Sequence, residues 1–342
     1  MYTKCFVALL ILSGITSCNS KQANNPVITQ RFIHKYGYDV SREEWENERY
    51  PGQIITTLEN GVTMVAAYEE GDLHGITTYT HPYSNTIASQ NYYDRGNLIK
   101  KISYDIRGLP LQEELFLSPQ HYKVTAWYTK GVPRSIEEYI QNRLSEGQYF
   151  STNNELESKI HLGTGEKVCR NAQGKLLAKE TYEQGNLLNI TTYYANGTPY
   201  MITPYKSSAI HGERKTFAAS GEPIAIENFY ADQLHGLSTY FQNGVKYADI
   251  NFFHGQRHGM ERRFIDGDIL VQQIKWEHDR KHGPSTVYSD GFARTDWYFN
   301  DKIVTKERFD TLTEQDRVLI TMTERANKAR PNSTTLSSSK IK

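Results

Sequence analysis

Cysteine is almost missing from this chain of 342 residues, which has three, at Cys5, Cys18 and Cys169. Two of them fall in the first 18 residues, so the remainder carries one thiol and can close no disulfide. A small cystine-stapled scaffold is excluded, and stability has to come from packing and hydrogen bonding. No internal run approaches the roughly 20 apolar residues that a membrane-spanning helix needs. Neither sign of charge is in excess, with 39 basic and 39 acidic residues, so nothing global points to nucleic acid or to an acidic partner. A mean hydropathy of −0.64 argues against a thick core. Catalytic constellations are also lacking. His258-Gly259-Met260-Glu261-Arg262 has the wrong spacing for the two-histidine helix of zinc proteases. Leu162-Gly163-Thr164-Gly165 lacks the third glycine and the following helix of a nucleotide loop. The sequence is therefore read as non-enzymatic, with no cofactor.

What the chain does have is a recurring word. His-Gly stands at His211-Gly212, His235-Gly236, His258-Gly259 and His282-Gly283, in steps of 24, 23 and 24 residues, with an outlying copy at His74-Gly75. His254-Gly255 is an extra copy out of phase. Six residues before each in-phase histidine sits an aromatic, Tyr68, Tyr205, Phe229, Phe252 or Trp276, and another follows at Tyr79, Phe217, Tyr240, Phe264 or Tyr288. Turn glycines follow in the last four copies, at Gly221, Gly244, Gly267 and Gly291. A period this long marks an array of similar supersecondary units. Short runs of β-forming residues lie between the turn words, and Asn243-Gly244 is a strong hairpin signal. Each unit reads as one β-hairpin, joined to the next through the His-Gly turn. The fold class is all-β, an elongated antiparallel meander of repeated hairpins, with a short N-terminal capping helix and a C-terminal helix. Between Tyr139 and Tyr182 the phase is hard to follow, and distorted units are expected there.

The flanks divide as follows. Lys4 and the apolar run Cys5 to Gly14 read as a secretion signal over 1–17, ending in Leu12-Ser13-Gly14-Ile15-Thr16-Ser17-Cys18. This ending resembles a bacterial lipoprotein signal, which implies lipidation at Cys18 and loss of Cys5. Residues 18–30 read as a flexible tether and 31–52 as an N-terminal cap. Within the cap Ser41 is the N-cap of a helix, with Glu44 at its third position, and that helix is expected to cover the open strand edge. The array occupies 53–310, a helix 311–329 and a disordered tail 330–342.

The core Tyr68-Glu69-Glu70-Gly71-Asp72-Leu73-His74-Gly75-Ile76-Thr77-Thr78-Tyr79 and its copies resemble the MORN repeat, in the longer variant of bacterial multi-repeat proteins. The resemblance covers roughly 250 residues in eight to ten units. It implies a binding or scaffolding role. Such proteins are often labelled antitoxins, which implies a cytosolic toxin partner, and the export signal departs from that pattern. Asn19, just after the anchor, is not the aspartate that retains some lipoproteins in the inner membrane. The expected location is thus the bacterial cell envelope, lipid-anchored, with the outer membrane favoured.

Two candidate sites follow. Aromatics on alternate strand positions are expected to stack over their equivalents 23–24 residues away, leaving a face for an unidentified protein partner. Tyr240, Phe252, Phe264 and Trp276 carry that contact, flanked by Arg262 and Arg263. The same basic spots and the tail from Arg325 onward could touch anionic lipid headgroups weakly. The second candidate is metal binding by His254 with His258, and His278 with His282, each pair four residues apart across one turn. A closed site needs three or four ligands, and no cysteine lies near. The histidines are therefore read as structural, with metal binding and toxin inhibition kept as alternatives.

Overall fold

The computed structural model describes residues 26–329. The signal, Cys18 with most of the tether, and the tail from Arg330 lie outside these. Among the described residues the chain forms 28 strands and two helices, α1 (Arg42–Glu48) and α2 (Lys306–Ala329). The strands follow one another as an antiparallel meander, as the hairpin period predicts. The chain divides into two compact units, Met1–Gly197 and Thr198–Lys342.

The first unit opens with β1 (Val27–His34), β2 (Asp39–Val40) and β3 (Gly52–Leu58). β1 pairs with β3 on one side and with β2 on the other. The expected tether thus ends in strand, since Val27–Gln30 already belongs to β1. α1 forms as the sequence dictates. The Ser41 side chain accepts the Glu44 N–H while the Glu44 carboxylate accepts the Ser41 N–H, a complete capping box. The helix does not cap the terminal edge, however. β2 lies on the outer edge of β1, and α1 lies on a face, where buried Trp45 packs against Phe32 and Tyr68 with ring centroids at 5.7 and 6.0 Å. Seven residues carrying one apolar side chain seat on a sheet face more readily than along an edge of polar backbone groups.

The region of lost phase contains one irregular hairpin. Leu156–His161 and Thr164–Arg170 share only two register pairs, Ile160 with Gly165 and His161 with Thr164. Around it Leu144, Tyr149, Ile160 and Val168 form a buried cluster, closed by Tyr139, Leu176 and Tyr182.

The second unit runs from Pro199–Lys206 to Lys302–Val304 and ends in α2. Phe217 and Pro223 close one hairpin, and Gly221 there has φ +93°. Asn243-Gly244, Asp266-Gly267 and Asp290-Gly291 place two successive residues at positive φ, the requirement of the type I′ turn expected at Asn243-Gly244. α2 starts earlier than the sequence reading has it, at Lys306. Its Phe309 packs on His282, Trp297 and Phe299 with centroids at 5.3, 5.1 and 6.2 Å.

Candidate functional site

The His-Gly word is not the turn between hairpins. The tight turns fall three or four residues earlier, at Ser207-Ser208, Ala231-Asp232 and His278-Asp279, all with positive φ, and Asn300-Asp301 is a further turn of the same kind. His254-Gly255, the copy out of phase, is such a turn. At His258 and His282 the in-phase word lies inside the following strand, where it makes a bulge, and at His74, His211 and His235 it breaks that strand after two residues. Ile250 pairs with Glu261 and Phe252 with Arg257, so three residues, His258 to Met260, stand against Asn251 alone. His282 to Pro284 stand against Lys275 in the same way. Asn251 clamps its bulge by donating to the Met260 carbonyl at 2.8 Å, and Asn228 does the same to the Leu237 carbonyl at 2.6 Å. The glycines have φ between +88° and +113° at Gly75, Gly212, Gly236, Gly259 and Gly283, a region costly for any other residue.

Each bulge glycine is in register with the inward aromatic of the next strand. The pairs are Gly75 with Tyr93, Gly212 with Phe229, Gly236 with Phe252, Gly259 with Trp276 and Gly283 with Tyr298. The rings do not stack over one another as expected. Equivalent residues sit two strands apart, about 9–10 Å, beyond ring contact. A cation takes the ring face instead. Arg214 lies 4.3 Å from the Phe229 centroid, Arg257 3.6 Å from Trp276 and Lys281 4.9 Å from Tyr298.

The residues expected at a partner contact fall into two groups. Trp276 is buried, and its Nε1 donates to Glu261 at 2.8 Å. Glu261 is itself buried and accepts Arg263 Nε at 2.7 Å. Tyr240 is half-buried and its hydroxyl donates to Glu227 at 3.4 Å; burial first, then the Glu227 charge, pushes it up to about 12. Phe264 is half-buried under Lys246 Nζ at 4.0 Å, and Phe252 is half-buried as well. Arg262 and Arg263 are exposed. Trp276 therefore holds the sheet together and is not an outward contact. Exposed rings that the sequence reading passed over include Tyr230 and Phe253, 55% and 45% exposed. Each ends a strand immediately before a tight turn. The signal was present in the doubled aromatics Phe229-Tyr230 and Phe252-Phe253, since alternation puts the second ring on the opposite face.

These outward rings join the histidines in a continuous line. Ring centroids lie at 5.0 Å for His211 and Tyr230, 5.8 Å for Tyr230 and His235, 5.1 Å for His235 and Phe253, and 5.8 Å for Phe253 and His258. The histidine pairs differ from those expected. His254 faces His235 at 5.4 Å and His278 faces His258 at 5.0 Å, both edge to face. His282 turns instead to Phe299, to Asn300 Oδ1 at 3.2 Å and to Glu277 at 3.7 Å. Sequence spacing misleads here because the tight turn sends His254 and His278 back over the preceding repeat.

A latch between repeats was also invisible in the sequence. Asp232, Asp279 and Asp301 sit in the tight turns and donate backbone N–H groups to the carbonyls of Ile210, Arg257 and Lys281, each at 3.0 Å. Their carboxylates accept the N–H of the same three residues at 2.7, 2.9 and 2.8 Å. Each turn is thereby fastened to the strand one repeat back.

The first unit holds a buried polar cluster. Glu137 bonds Lys167 Nζ and the Tyr139 hydroxyl, both at 2.8 Å. Burial alone would raise the Glu137 carboxyl, but Lys167 together with the Tyr139 and Tyr149 hydroxyls outweighs it and the carboxyl is held below its usual range. Glu180 accepts the Tyr182 hydroxyl at 2.8 Å and faces Cys169, whose thiol burial pushes up to about 12. Cys169 is thus a protonated, unreactive thiol at neutral pH.

Comparisons with known proteins give no assignment. No family model matches the chain, and no curated protein matches it. Among solved structures, one described as TcdB2-TccC3-Cdc42 aligns at 10% identity over 71% of this chain, with a TM-score of 0.15. The alignment spans 19% of that chain's length and carries no argument about this one.

Proposed function

We propose that the protein is a non-catalytic lipoprotein of the bacterial cell envelope, anchored through Cys18 with the outer membrane favoured, and that its MORN-like hairpins form a scaffold for a protein partner. The observation that carries the reading is the outward line of rings on consecutive hairpins of the second unit. Tyr230 and Phe253 keep about half their surface in water although His235 stands between them. Large rings held rigid and half wet cost little entropy to dock and dominate interface energies. The contact is therefore placed on Tyr230 and Phe253, and not on Trp276 or on Arg263, which is bound to the buried Glu261.

The test places a photo-crosslinking residue at position 253, identifies the protein joined to it, and measures the affinity of the purified pair. Tyr230→Ala and Phe253→Ala should each weaken binding tenfold or more while the fold survives. Full-strength binding by both folded variants would overturn the assignment. Binding to anionic vesicles by the unlipidated chain, with no protein crosslinked, would replace it with a membrane contact. The anchor is tested separately, since Cys18→Ala should abolish incorporation of a fatty-acid analogue.

A further inference from the structure

We propose that His235 with His254, and His258 with His278, form two equivalent bis-imidazole sites for a divalent transition-metal ion such as Zn²⁺ or Cu²⁺, each tying one hairpin to the next. The inference does not depend on the protein-partner reading above. Three observations carry it. First, the rings of each pair stand edge to face at 5.4 and 5.0 Å, and the arrangement repeats one period later. Two imidazoles bound to one tetrahedral ion have centroids about 5 Å apart, from a metal–nitrogen distance of roughly 2 Å.

Second, the nitrogens are sorted. Nδ1 of His235 and of His258 is buried with no hydrogen-bond partner, so Nε2 is the nitrogen each ring offers. His254 Nδ1 lies 3.2 Å from Gln233 Oε1. As donor to that amide it carries the proton, which leaves Nε2 as the lone pair; outer partners fix metal-ligand tautomers in this way.

Third, His254 and His278 both sit at φ +49°, in the left-handed conformation that the first position of the tight turn requires. The equivalent turn positions hold Ser207, Ala231 and Asn300. Histidine thus occupies this turn position in the two repeats where it faces another histidine. Among the described residues no third His, Cys, Asp or Glu completes either pair, so water fills the remaining positions. Such open sites bind in the micromolar range, and binding the folded state alone raises its stability.

The experiment is calorimetric titration and thermal unfolding of the full chain without a polyhistidine tag, with Zn²⁺ alone at about 0.1 mM. Two ions per chain are expected, with a rise in Tm that a chelator reverses. His254→Asn and His278→Asn keep the left-handed turn, because asparagine accepts that conformation. Each should lose one ion, and the double variant both, with the far-ultraviolet spectrum unchanged. No Tm shift in the parent, an undiminished shift in the folded double variant, or a loss in only one single variant would overturn the proposal.

Discussion

Trp276 is in register with Gly259 on the neighbouring strand, and its indole N–H donates to Glu261, two residues along that same strand, at 2.8 Å. The bulge at Gly259 and the seat of the ring are therefore one structure. Gly259 has φ +100°, and a Cβ there would lie 3.2 Å from Asn251 Cβ, the residue that clamps the bulge. Gly236 has φ +94° but leaves an ordinary 3.7 Å to Asn228 Cβ. Both Gly→Ala changes carry backbone strain, of order 1–3 kcal/mol. Gly259→Ala adds a clash. In urea denaturation Gly259→Ala is expected to lose more stability than Gly236→Ala. Equal loss would show that the clamp yields freely.

Trp276→Phe keeps most of the ring and removes its donor. Glu261, 1% exposed, would then rely on Arg263 alone. Removing one partner of a buried charge costs about 1–3 kcal/mol. Trp276→Phe together with Glu261→Leu should recover part of that loss, because the charge leaves with its donor. Thermal unfolding of the three variants checks this, and no recovery would mean that the indole contributes by volume.

The turn latch has a pH signature. The Arg257 N–H, opposed by slight burial and aided by the guanidinium, holds the Asp279 carboxyl below its ordinary value. A carboxyl whose folded pKa is depressed contributes stability above its unfolded pKa, and loses it as pH falls through the folded value. The latch should therefore be intact at pH 6 and weaken below about pH 4. Asp279 is well exposed, so solvent screening keeps the effect to about 1 kcal/mol or less. Asp279→Asn should flatten this part of the stability profile, read from urea midpoints between pH 6 and pH 3. An unchanged slope would show that the carboxylate is free in solution.

The period, the hairpin turns and the Ser41 capping box were legible because each is a local signal. Asn243-Gly244 states its own φ requirement, and Ser41 and Glu44 meet within one helical turn. What was not legible depends on register. His254 pairs with His235 because a tight turn and a bulge of two extra residues set which rings meet across strands, and no spacing along the chain encodes that. Trp276 looked like an exposed ladder ring because a single-layer sheet offers it no second layer. Arg257 and Glu261 cover it instead, from the adjacent strand. Tyr230 and Phe253 were overlooked because the repeat was aligned on the inward ring of each doublet.

Register also joins Glu137 and Lys167, which sit on strands Pro133–Ile140 and Thr164–Arg170 and meet at 2.8 Å with both side chains largely buried. The pair lies beside Tyr139, whose hydroxyl also donates to Glu137, and in the part of the chain where the repeat is most irregular. A buried ion pair contributes little net stability, since desolvating two charges offsets their attraction, but breaking it strands a charge at about 3–5 kcal/mol. Glu137→Gln and Lys167→Met should therefore each destabilise the first unit by several kcal/mol. The double variant should be less destabilised than the sum, with a coupling energy of roughly 1–3 kcal/mol. The hydroxyl of Tyr139 can still donate to the glutamine oxygen, so Glu137→Gln should be the milder single change. Denaturant unfolding of all four proteins measures the cycle. Strict additivity would mean that water reaches the pair and that the first unit is held by its aromatic cluster alone.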